Sequence, residues 1–139
     1  MTTWVVDASV AIKWVVDEPG TAQALLLRRH HLVAPDLLIA ECANILWKKV
    51  RRGELSEAEA MLAARLLQRA EVQLEPMRGL LEPATKLAIA LDHPAYDCIY
   101  VALAQVLSCA MVTADEHLCR KTLAIGLTQQ AVQLNAFEA

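Results

Sequence analysis

Asp97 is an acidic residue inside one of the most apolar stretches of the chain. Between Tyr96 and Leu107, every residue is apolar or aromatic except Asp97 and Gln105. A helix that is apolar on nearly all sides is buried, and a buried carboxylate is costly unless it is paired, hydrogen-bonded or bound to a metal. Two explanations are open for Asp97 taken alone: a first-turn carboxylate after Pro94 that suits the helix dipole, or a functional group in a cleft.

Two further acids stand where short apolar runs end. Asp7 follows Val5-Val6, and Asp115 comes shortly after the run 110–113. If these runs are parallel strands, both carboxylates lie at the carboxyl-end edge of one sheet, where ligands bind in α/β folds. Asp is also a common N-cap at strand-to-helix junctions, so capping is the alternative for each residue.

Glu41 is the fourth candidate acid and lies in a predicted helix over residues 37–52. Glu41, Asn44 and Lys48 are spaced so that they share one helical stripe, which runs between two apolar stripes. A polar stripe between two core-facing stripes is typical of side chains that work in a cleft. The alternative is that Glu41 and Lys48 belong to a solvated helix face.

Four carboxylates in one cleft would repel each other, by roughly 4 kcal/mol for a close pair at an effective dielectric constant near 20. A hard divalent cation relieves such repulsion, and Mg²⁺ or Mn²⁺ prefers a ligand set made of oxygen atoms. A site of this kind hydrolyses phosphate esters, because the ion activates a water molecule, orients the phosphate and stabilises the leaving oxygen. The predicted metal ligands and catalytic residues are therefore Asp7, Glu41, Asp97 and Asp115.

Short apolar runs alternate with helical patterns along the chain. The predicted strands cover residues 4–6, 32–34, 72–74, 110–113 and 131–134. The predicted helices cover residues 8–16, 21–29, 37–52, 56–70, 79–91, 96–107 and 115–123. Asp36 is the predicted N-cap of the third helix, and Ser56 opens a capping box with Glu59. This alternation predicts an α/β fold in which helices cover both faces of a parallel sheet.

The composition indicates one domain, predicted to extend over residues 1–139, with 56% hydrophobic residues to form its core. The four cysteines form no C-x-x-C pair, which favours free core thiols in a reducing compartment. The chain lacks both a basic start with a following apolar segment and an apolar run of bilayer length. The predicted location is therefore the cytoplasm, without a membrane partner.

The net charge of −3 does not by itself suggest a polyanionic partner. Without the four proposed metal ligands, however, 13 basic residues face 12 acidic ones. Lys48, Arg51 and Arg52 extend the helix of Glu41, and Lys13 lies in the first predicted helix. These four basic residues are candidates for phosphate contacts, with a solvated helix end as the alternative for the basic run.

Four segments of the chain resemble the signature segments of PIN-domain proteins. They are V-V-D-A-S-V-A-I-K-W, A-P-D-L-L-I-A-E-C-A-N-I-L-W-K, H-P-A-Y-D-C-I-Y-V-A-L-A and V-T-A-D, in the family's order and spacing over nearly the whole chain. They look most similar to VapC-type toxins of toxin–antitoxin pairs. The resemblance implies a three-layer α/β/α PIN fold with a five-stranded parallel sheet. It also implies Mg²⁺- or Mn²⁺-dependent cleavage of an RNA substrate, homodimerisation and inhibition by a VapB-like antitoxin.

The resemblance also extends to individual residues. It implies that the acidic positions of the family correspond to Asp7, Glu41, Asp97 and Asp115. Ser9 and Thr113 match the small hydroxyl positions of the first and last segments, and Asn44 matches an amide one turn after the glutamate. Some relatives bring a further acid near the end of the chain, which has no counterpart here, so the number of metal ions stays open.

A PIN-like module that binds RNA or protein without turnover is the alternative to an enzyme. The complete acidic set argues against it, because a site without activity is free to lose its costly carboxylates. Other residues near the motifs are predicted to be structural. His93 is predicted to shape the turn before Pro94. Trp47 is predicted to pack in the core, with a partner-binding groove as the alternative. Tyr96 is predicted to pack against the protein, with stacking on a base as the alternative.

Overall fold

The computed structural model describes residues 2–126 and 131–137. A five-stranded parallel sheet runs through this part of the chain, in the order β3-β2-β1-β4-β5. Its strands are β1 (Thr3–Val6), β2 (His31–Pro35), β3 (Gln73–Glu75), β4 (Ala110–Thr113) and β5 (Ala131–Gln133). The predicted parallel sheet is confirmed, and β1 lies at its centre between β2 and β4.

Seven α-helices connect the strands within the described ranges. They are α1 (Ala8–Ala11), α2 (Thr21–Leu27), α3 (Leu37–Arg51), α4 (Glu57–Gln68), α5 (Leu81–Leu91), α6 (Ala95–Val106) and α7 (Glu116–Ala124). The predicted capping box opens α4. The Glu59 N–H donates to Ser56 Oγ at 3.1 Å, and the Ser56 N–H donates to Glu59 Oε1 at 2.9 Å.

Neighbouring residues of β1 point to opposite faces of the sheet. Val5 packs with Val33 and Met111 in a core that includes buried residues of α3, α5 and α6. Val6 packs with Val112 in a second core that includes α2. Because helices cover both faces, the parallel strands are apolar without alternation. These two cores form the three-layer α/β/α architecture that was expected of the chain.

Helix α6 is buried on nearly all sides, as its composition predicts. Residues 100–104 are at most 3% exposed, and α6 packs against α5 and against β1, β2 and β4. Since β4 is parallel to β1 and directly follows α6, the helix must cross back over the sheet before β4 begins. The first turn of α6, which carries Asp97, therefore lies beside the ends of β1 and β4.

Predictions for one helix cap and two aromatic residues differ from the structure. Asp36 is the N-cap residue of α3, as predicted, but its side chain makes no capping hydrogen bond: its backbone is already helical, with φ −53° and ψ −23°, and its N–H donates to Glu75 O at 2.9 Å. The backbone hydrogen bond to β3 therefore fixes the start of α3, where a capping carboxylate was predicted. Trp47 and Tyr96 are 54% and 65% exposed, and the Arg51 guanidinium lies 5.4 Å from the centre of the Trp47 ring. Both aromatic residues lie on the outward sides of their helices.

All four cysteines are free thiols, as predicted, with Cys42 and Cys98 buried in the core. Burial raises the pKa of the Cys42 thiol to about 12.

In the two described ranges, no single helix is long and apolar enough to cross a membrane. One bent pair, Arg78–Leu91 with Ala95–Val106, reaches that length and composition only across an angle of 117°.

Candidate active site

Asp7 is a nearly buried carboxylate held by three hydrogen bonds. It follows β1 directly and is 5% exposed. Its Oδ1 accepts from Ser9 Oγ at 2.5 Å and from the Val10 N–H at 3.2 Å, and its Oδ2 accepts from Thr113 Oγ1 at 2.5 Å. The bond from Val10 makes Asp7 the N-cap of α1. The Asp7 side chain therefore caps α1 and also belongs to the candidate site.

The hydroxyls of Ser9 and Thr113 join the ends of β1 and β4. Ser9 Oγ accepts from the Ala114 N–H at 3.1 Å, and Thr113 Oγ1 accepts from the Asp115 N–H at 3.1 Å. Each hydroxyl therefore donates to Asp7 and accepts from the segment that carries Asp115. This arrangement fixes the Asp7 carboxylate in one orientation relative to Asp115.

Asp97 and Asp115 approach one another around His93. Asp115 Oδ1 caps α7 by accepting from the N–H groups of His117 at 2.9 Å and Leu118 at 3.2 Å. Its Oδ2 lies 3.9 Å from His93 Nε2, and Asp97 Oδ2 lies 2.6 Å from the same nitrogen. One donor atom from each of His93, Asp97 and Asp115 lies within 4.8 Å of the others. The two carboxylates are therefore close enough to share a cation.

Glu41 enters the site from α3 and is held by a tyrosine of α6. Tyr100, which is fully buried, donates its hydroxyl proton to Glu41 Oε1 at 2.5 Å. This bond fixes Glu41 against the helix that carries Asp97. The polar stripe predicted from the sequence therefore does face other polar groups at Glu41.

The carboxyl groups of Asp7 and Glu41 bind protons more tightly than ordinary carboxyl groups. Burial raises the pKa of Asp7 from 3.8 to about 6, although the hydrogen bonds from Ser9 and Thr113 favour the ionised form. Burial also raises the pKa of Glu41, against the effect of the Tyr100 bond. In both cases the negative charge of Asp97 adds to the rise. Asp97 is therefore the acid that interacts electrostatically with both of the others.

A divalent cation fits this group of side chains. The four carboxylates offer oxygen donors, which Mg²⁺ and Mn²⁺ prefer. Within residues 2–126 and 131–137, no lysine or arginine forms an ion pair with any of the four acids. A bound cation would offset both the cost of burial and the repulsion that raise the pKa of Asp7 and Glu41.

In the part of the chain that the structure describes, the remaining predicted residues beyond Ser9 and Thr113 form no hydrogen bond or ion pair with the four acids. Lys13 is largely buried, and its Nζ lies 3.0 Å from Glu18 Oε1, while the other oxygen of Glu18 pairs with Lys49 at 3.0 Å. Lys13 is therefore engaged within the fold, and its contact with phosphate stays a prediction. Four other predicted residues are exposed on α3 or directly after it: Asn44, Lys48, Arg51 and Arg52.

His93 and Tyr100 contact the predicted acids but are absent from the sequence-based site. The prediction that His93 only shapes a turn is wrong, because its ring bonds to Asp97. The spacing of four residues between them is that of side chains that meet across a helical turn, but Pro94 makes the segment look like a plain turn. Tyr100 bonds to Glu41 across 59 residues of chain, a pairing that no local pattern indicates.

Tyr100→Phe is expected to weaken the site without changing the shape of the core. Phenylalanine keeps the ring but removes the hydroxyl, so the half-buried Glu41 carboxylate loses its donor. An unsatisfied group of this kind costs about 1–3 kcal/mol. The pKa of Glu41 should also rise further, because the lost bond lowers it. Urea denaturation in metal-free buffer and NMR titration of Glu41 measure the two effects.

Tyr96→Phe is the matched control, since Tyr96 is 65% exposed on the same helix. Its loss of a hydroxyl should change neither the free energy of unfolding nor the pKa of Glu41. If Tyr100→Phe matched the parent protein in both quantities, the tyrosine would not be what holds Glu41.

The chain matches known proteins over most of its length. Residues 4–122 match the PIN domain family. A VapC ribonuclease of Mycobacterium bovis is 36% identical over 114 residues, which cover 82% of this chain and 87% of that relative.

Two solved structures share the fold. A protein of Pyrobaculum aerophilum superimposes with a TM-score of 0.73 at 24% identity, covering 96% of this chain and 85% of the other. A toxin–antitoxin complex from Klebsiella pneumoniae gives a TM-score of 0.64 at 14% identity, covering 98% of this chain and 99% of the other. From the family match and the curated relative together, the chain belongs to the PIN domain family, among the VapC ribonucleases.

Proposed function

We propose that this chain is a divalent-metal-dependent endoribonuclease that acts as the toxin of a toxin–antitoxin pair. The observation that supports the proposal is the pairing of Asp97 and Asp115 beside His93, with Asp7 and Glu41 near enough for the charge of Asp97 to contribute to the rise of their pKa. The VapC ribonuclease among its relatives supports RNA as the substrate. The hydrogen bonds that orient Asp7 and Glu41 favour catalysis over a module that only binds, because binding alone does not require oriented carboxylates.

Each acid has a defined part in this proposal. Asp7, Glu41 and Asp97 would hold a Mg²⁺ or Mn²⁺ ion through their oxygens, and Asp115 would complete the ligand set or position a water molecule. The ion would supply a lowered pKa of that water and offset the charge of the phosphate. The hydroxyls that bond to Asp7 keep it oriented for this purpose. The hydrolysis needs no nucleophilic side chain and no covalent enzyme intermediate.

The exposed cations at the end of α3 are proposed to hold the RNA. Lys48 and Arg51 follow Glu41 on α3, and Arg52 comes directly after the helix, so an RNA backbone bound along α3 would lead towards the acids. Contacts of this kind neutralise phosphates, and the binding weakens as the salt concentration rises. Structured RNA is the proposed substrate, because a chain with only 4% aromatic residues has few rings to stack on unpaired bases.

An RNA cleavage assay with purified protein tests the proposal. With Mg²⁺ or Mn²⁺ the protein should cut RNA at a limited set of sites. Excess EDTA should stop the cleavage, and added Mg²⁺ should restore it, because no lysine or arginine among the described residues pairs with the acids. RNA that stays intact with both ions would favour the alternative, a PIN-like module that binds RNA or protein without turnover.

An apolar groove beside α3 is the proposed site for a VapB-like antitoxin. The groove has a volume of about 360 Å³, lies between α3 and α4, and is lined by side chains such as Leu38, Cys42 and Leu67. Ile39 also lines it and is 55% exposed. An antitoxin segment with an apolar face would cover these side chains and lie beside Glu41. The cations at the end of α3 favour a segment that is also acidic.

Ile39→Glu is expected to weaken antitoxin binding by roughly tenfold or more, because the new carboxylate would have to be dehydrated in an apolar groove. The partner for the calorimetric titration is a VapB-like antitoxin that binds the parent chain. Leu25→Glu is the control, since Leu25 is 44% exposed on α2, which packs on the opposite face of the sheet. Equal affinity of Ile39→Glu and the parent would contradict the assignment of the groove.

We also propose that the chain forms a homodimer. Large apolar side chains outside the groove are exposed, among them Ile89, Leu123 and Ile125. Association of two copies would cover such side chains. Light scattering of antitoxin-free protein should then give twice the chain mass of 15.3 kDa, and a monomer at micromolar concentration would contradict the dimer.

A further inference from the structure

His93 is almost completely buried between the acids and a lysine of α7. Its side chain is 7% exposed. On one side, its Nε2 lies 2.6 Å from Asp97 Oδ2 and 3.9 Å from Asp115 Oδ2. On the other side, its Nδ1 lies 3.2 Å from Lys121 Nζ. The two ring nitrogens therefore have charged neighbours of opposite sign.

These neighbours determine which ring nitrogen carries the proton. A lysine ammonium group can only donate, so His93 Nδ1 must accept from Lys121. The proton of the neutral ring is then on Nε2, which donates it to Asp97. To bind a metal ion through Nε2, His93 would need a lone pair on Nε2 and its proton on Nδ1. A proton on Nδ1 would face the ammonium group of Lys121. The hydrogen bonds therefore oppose ligation by His93, although its distance from the two acids would allow it.

The loop between α5 and α6 is built to hold this ring. Asp92 has a left-handed backbone, with φ 49° and ψ 55°, and its carbonyl oxygen accepts from Lys121 Nζ at 2.8 Å. The His93 N–H donates to Ala88 O at 3.2 Å. Lys121 thus binds both the loop backbone and the ring. It stands on α7, the helix that Asp115 caps.

We propose that His93 is a positioning residue for Asp97 and that Lys121 fixes His93 in the form that donates from Nε2. The contacts from Lys121 to His93 to Asp97 tie α7 to the start of α6. Asp97 and Asp115 are thereby held at a constant separation. The inference rests on the proposed function in one respect, which is that Asp97 is a ligand of a divalent ion.

The same contacts keep a nitrogen donor out of the ligand set. Imidazole nitrogen suits Zn²⁺ and Ni²⁺, whereas carboxylate oxygens suit Mg²⁺ and Mn²⁺. While the Nε2 proton of His93 points at Asp97, the ion meets the carboxylates alone. Loss of Lys121 would let the proton move to Nδ1 and free the lone pair of Nε2, so that Zn²⁺ binds more tightly.

Nitrogen NMR of the His93 side chain reports the position of the proton, in metal-free protein and after addition of Mg²⁺. We expect the proton on Nε2 in both states, for the parent and for Lys121→Arg, which keeps a donor. Lys121→Met should weaken this preference, because Asp97 alone then favours the proton on Nε2, whereas Lys86→Met, at an exposed lysine of α5, should keep it unchanged. A parent protein that carries the proton on Nδ1 once Mg²⁺ is bound would overturn the inference.

Calorimetric titration with Mg²⁺ and with Zn²⁺ gives a second readout. His93→Leu should weaken Mg²⁺ binding by roughly 10–100-fold, the usual cost of losing a group that orients a metal ligand. His93→Gln, whose amide N–H replaces the Nε2 proton, should recover most of the affinity. Lys121→Met should raise the Zn²⁺ affinity relative to the Mg²⁺ affinity. Equal Mg²⁺ affinity of His93→Leu and the parent would overturn this inference alone, whereas a parent that binds no Mg²⁺ would overturn the proposed function as well.

Discussion

Asp97→Asn is expected to slow RNA cleavage by roughly 100-fold or more while RNA affinity stays close to that of the parent. Loss of a group that only orients a metal ligand costs roughly 10–100-fold, so loss of a ligand itself should cost at least the upper part of that range. Asp97 is the acid whose charge acts on both Asp7 and Glu41, so its loss changes the electrostatic environment of both. RNA affinity should persist because the cations of α3 are unchanged. Single-turnover cleavage and fluorescence anisotropy separate the two quantities.

Asp17→Asn is the matched control for this variant, because Asp17 is an exposed aspartate between α1 and α2. It removes the same charge from the chain without touching the site, and it should cleave RNA like the parent. If Asp97→Asn cleaved within a few-fold of the parent rate, Asp97 would have no part in the reaction. The binding module would then be the better account of the chain.

Without metal, the stability of the parent is expected to fall as the pH rises from about 4 to 6. Burial in the folded state raises the pKa of Asp7 to about 6, whereas its ordinary value is 3.8. Because the folded state binds this proton more tightly, its stabilising effect is complete below about pH 4 and is lost as the pH rises through 6. The difference between the two pKa values corresponds to roughly 3 kcal/mol.

Asp7→Asn isolates this contribution, because asparagine has no proton to release in that range. The free energy of unfolding is measured by urea denaturation in EDTA at several values between pH 4 and 7.5. As the pH rises, the difference between variant and parent should shift by a few kcal/mol in favour of the variant. The amide cannot accept every bond that Asp7 accepts, so the variant also carries a constant loss, and only the slope with pH is the test. Parallel curves for the two proteins would contradict a buried, protonated Asp7.

Mg²⁺ should reverse this loss at neutral pH, since the ion binds the ionised carboxylates of the folded state. At a hundredfold excess over its dissociation constant, a ligand that binds the folded state adds roughly 2.7 kcal/mol. The melting temperature of the parent should therefore rise with Mg²⁺ or Mn²⁺, and that of Asp97→Asn should not. An identical melting curve of the parent with and without the ion would argue against the metal site.

The strand ends were predictable because a short apolar run followed by an acid is a local pattern. β4 has the predicted bounds, and both Asp7 and Asp115 lie at the edge where β1 and β4 end. β3 is shifted by one residue, because its pairing with β2 sets its position. The place of Asp97 depended on the direction in which α6 crosses the sheet, which the residues of α6 do not encode.

The partners of the acids were not predictable in the same way. Tyr100 and Glu41 meet because α3 and α6 pack on one face of the sheet, and His93 meets Lys121 because α7 returns to the loop before α6. Such pairs depend on the packing of distant segments and leave no periodic signal. Trp47 shows the opposite failure: its large apolar ring suggests the core, but the fold leaves it exposed beside Arg51.

Diffraction from crystals soaked in Mn²⁺ would show whether the four acids hold an ion. Manganese scatters anomalously, so its position can be found independently of the phases of the protein. The proposed site predicts one anomalous peak at roughly 2 Å from carboxylate oxygens of Asp7 and Asp97, with Glu41 and Asp115 around it. A peak elsewhere, or none at a concentration that supports RNA cleavage, would contradict the four-carboxylate metal site.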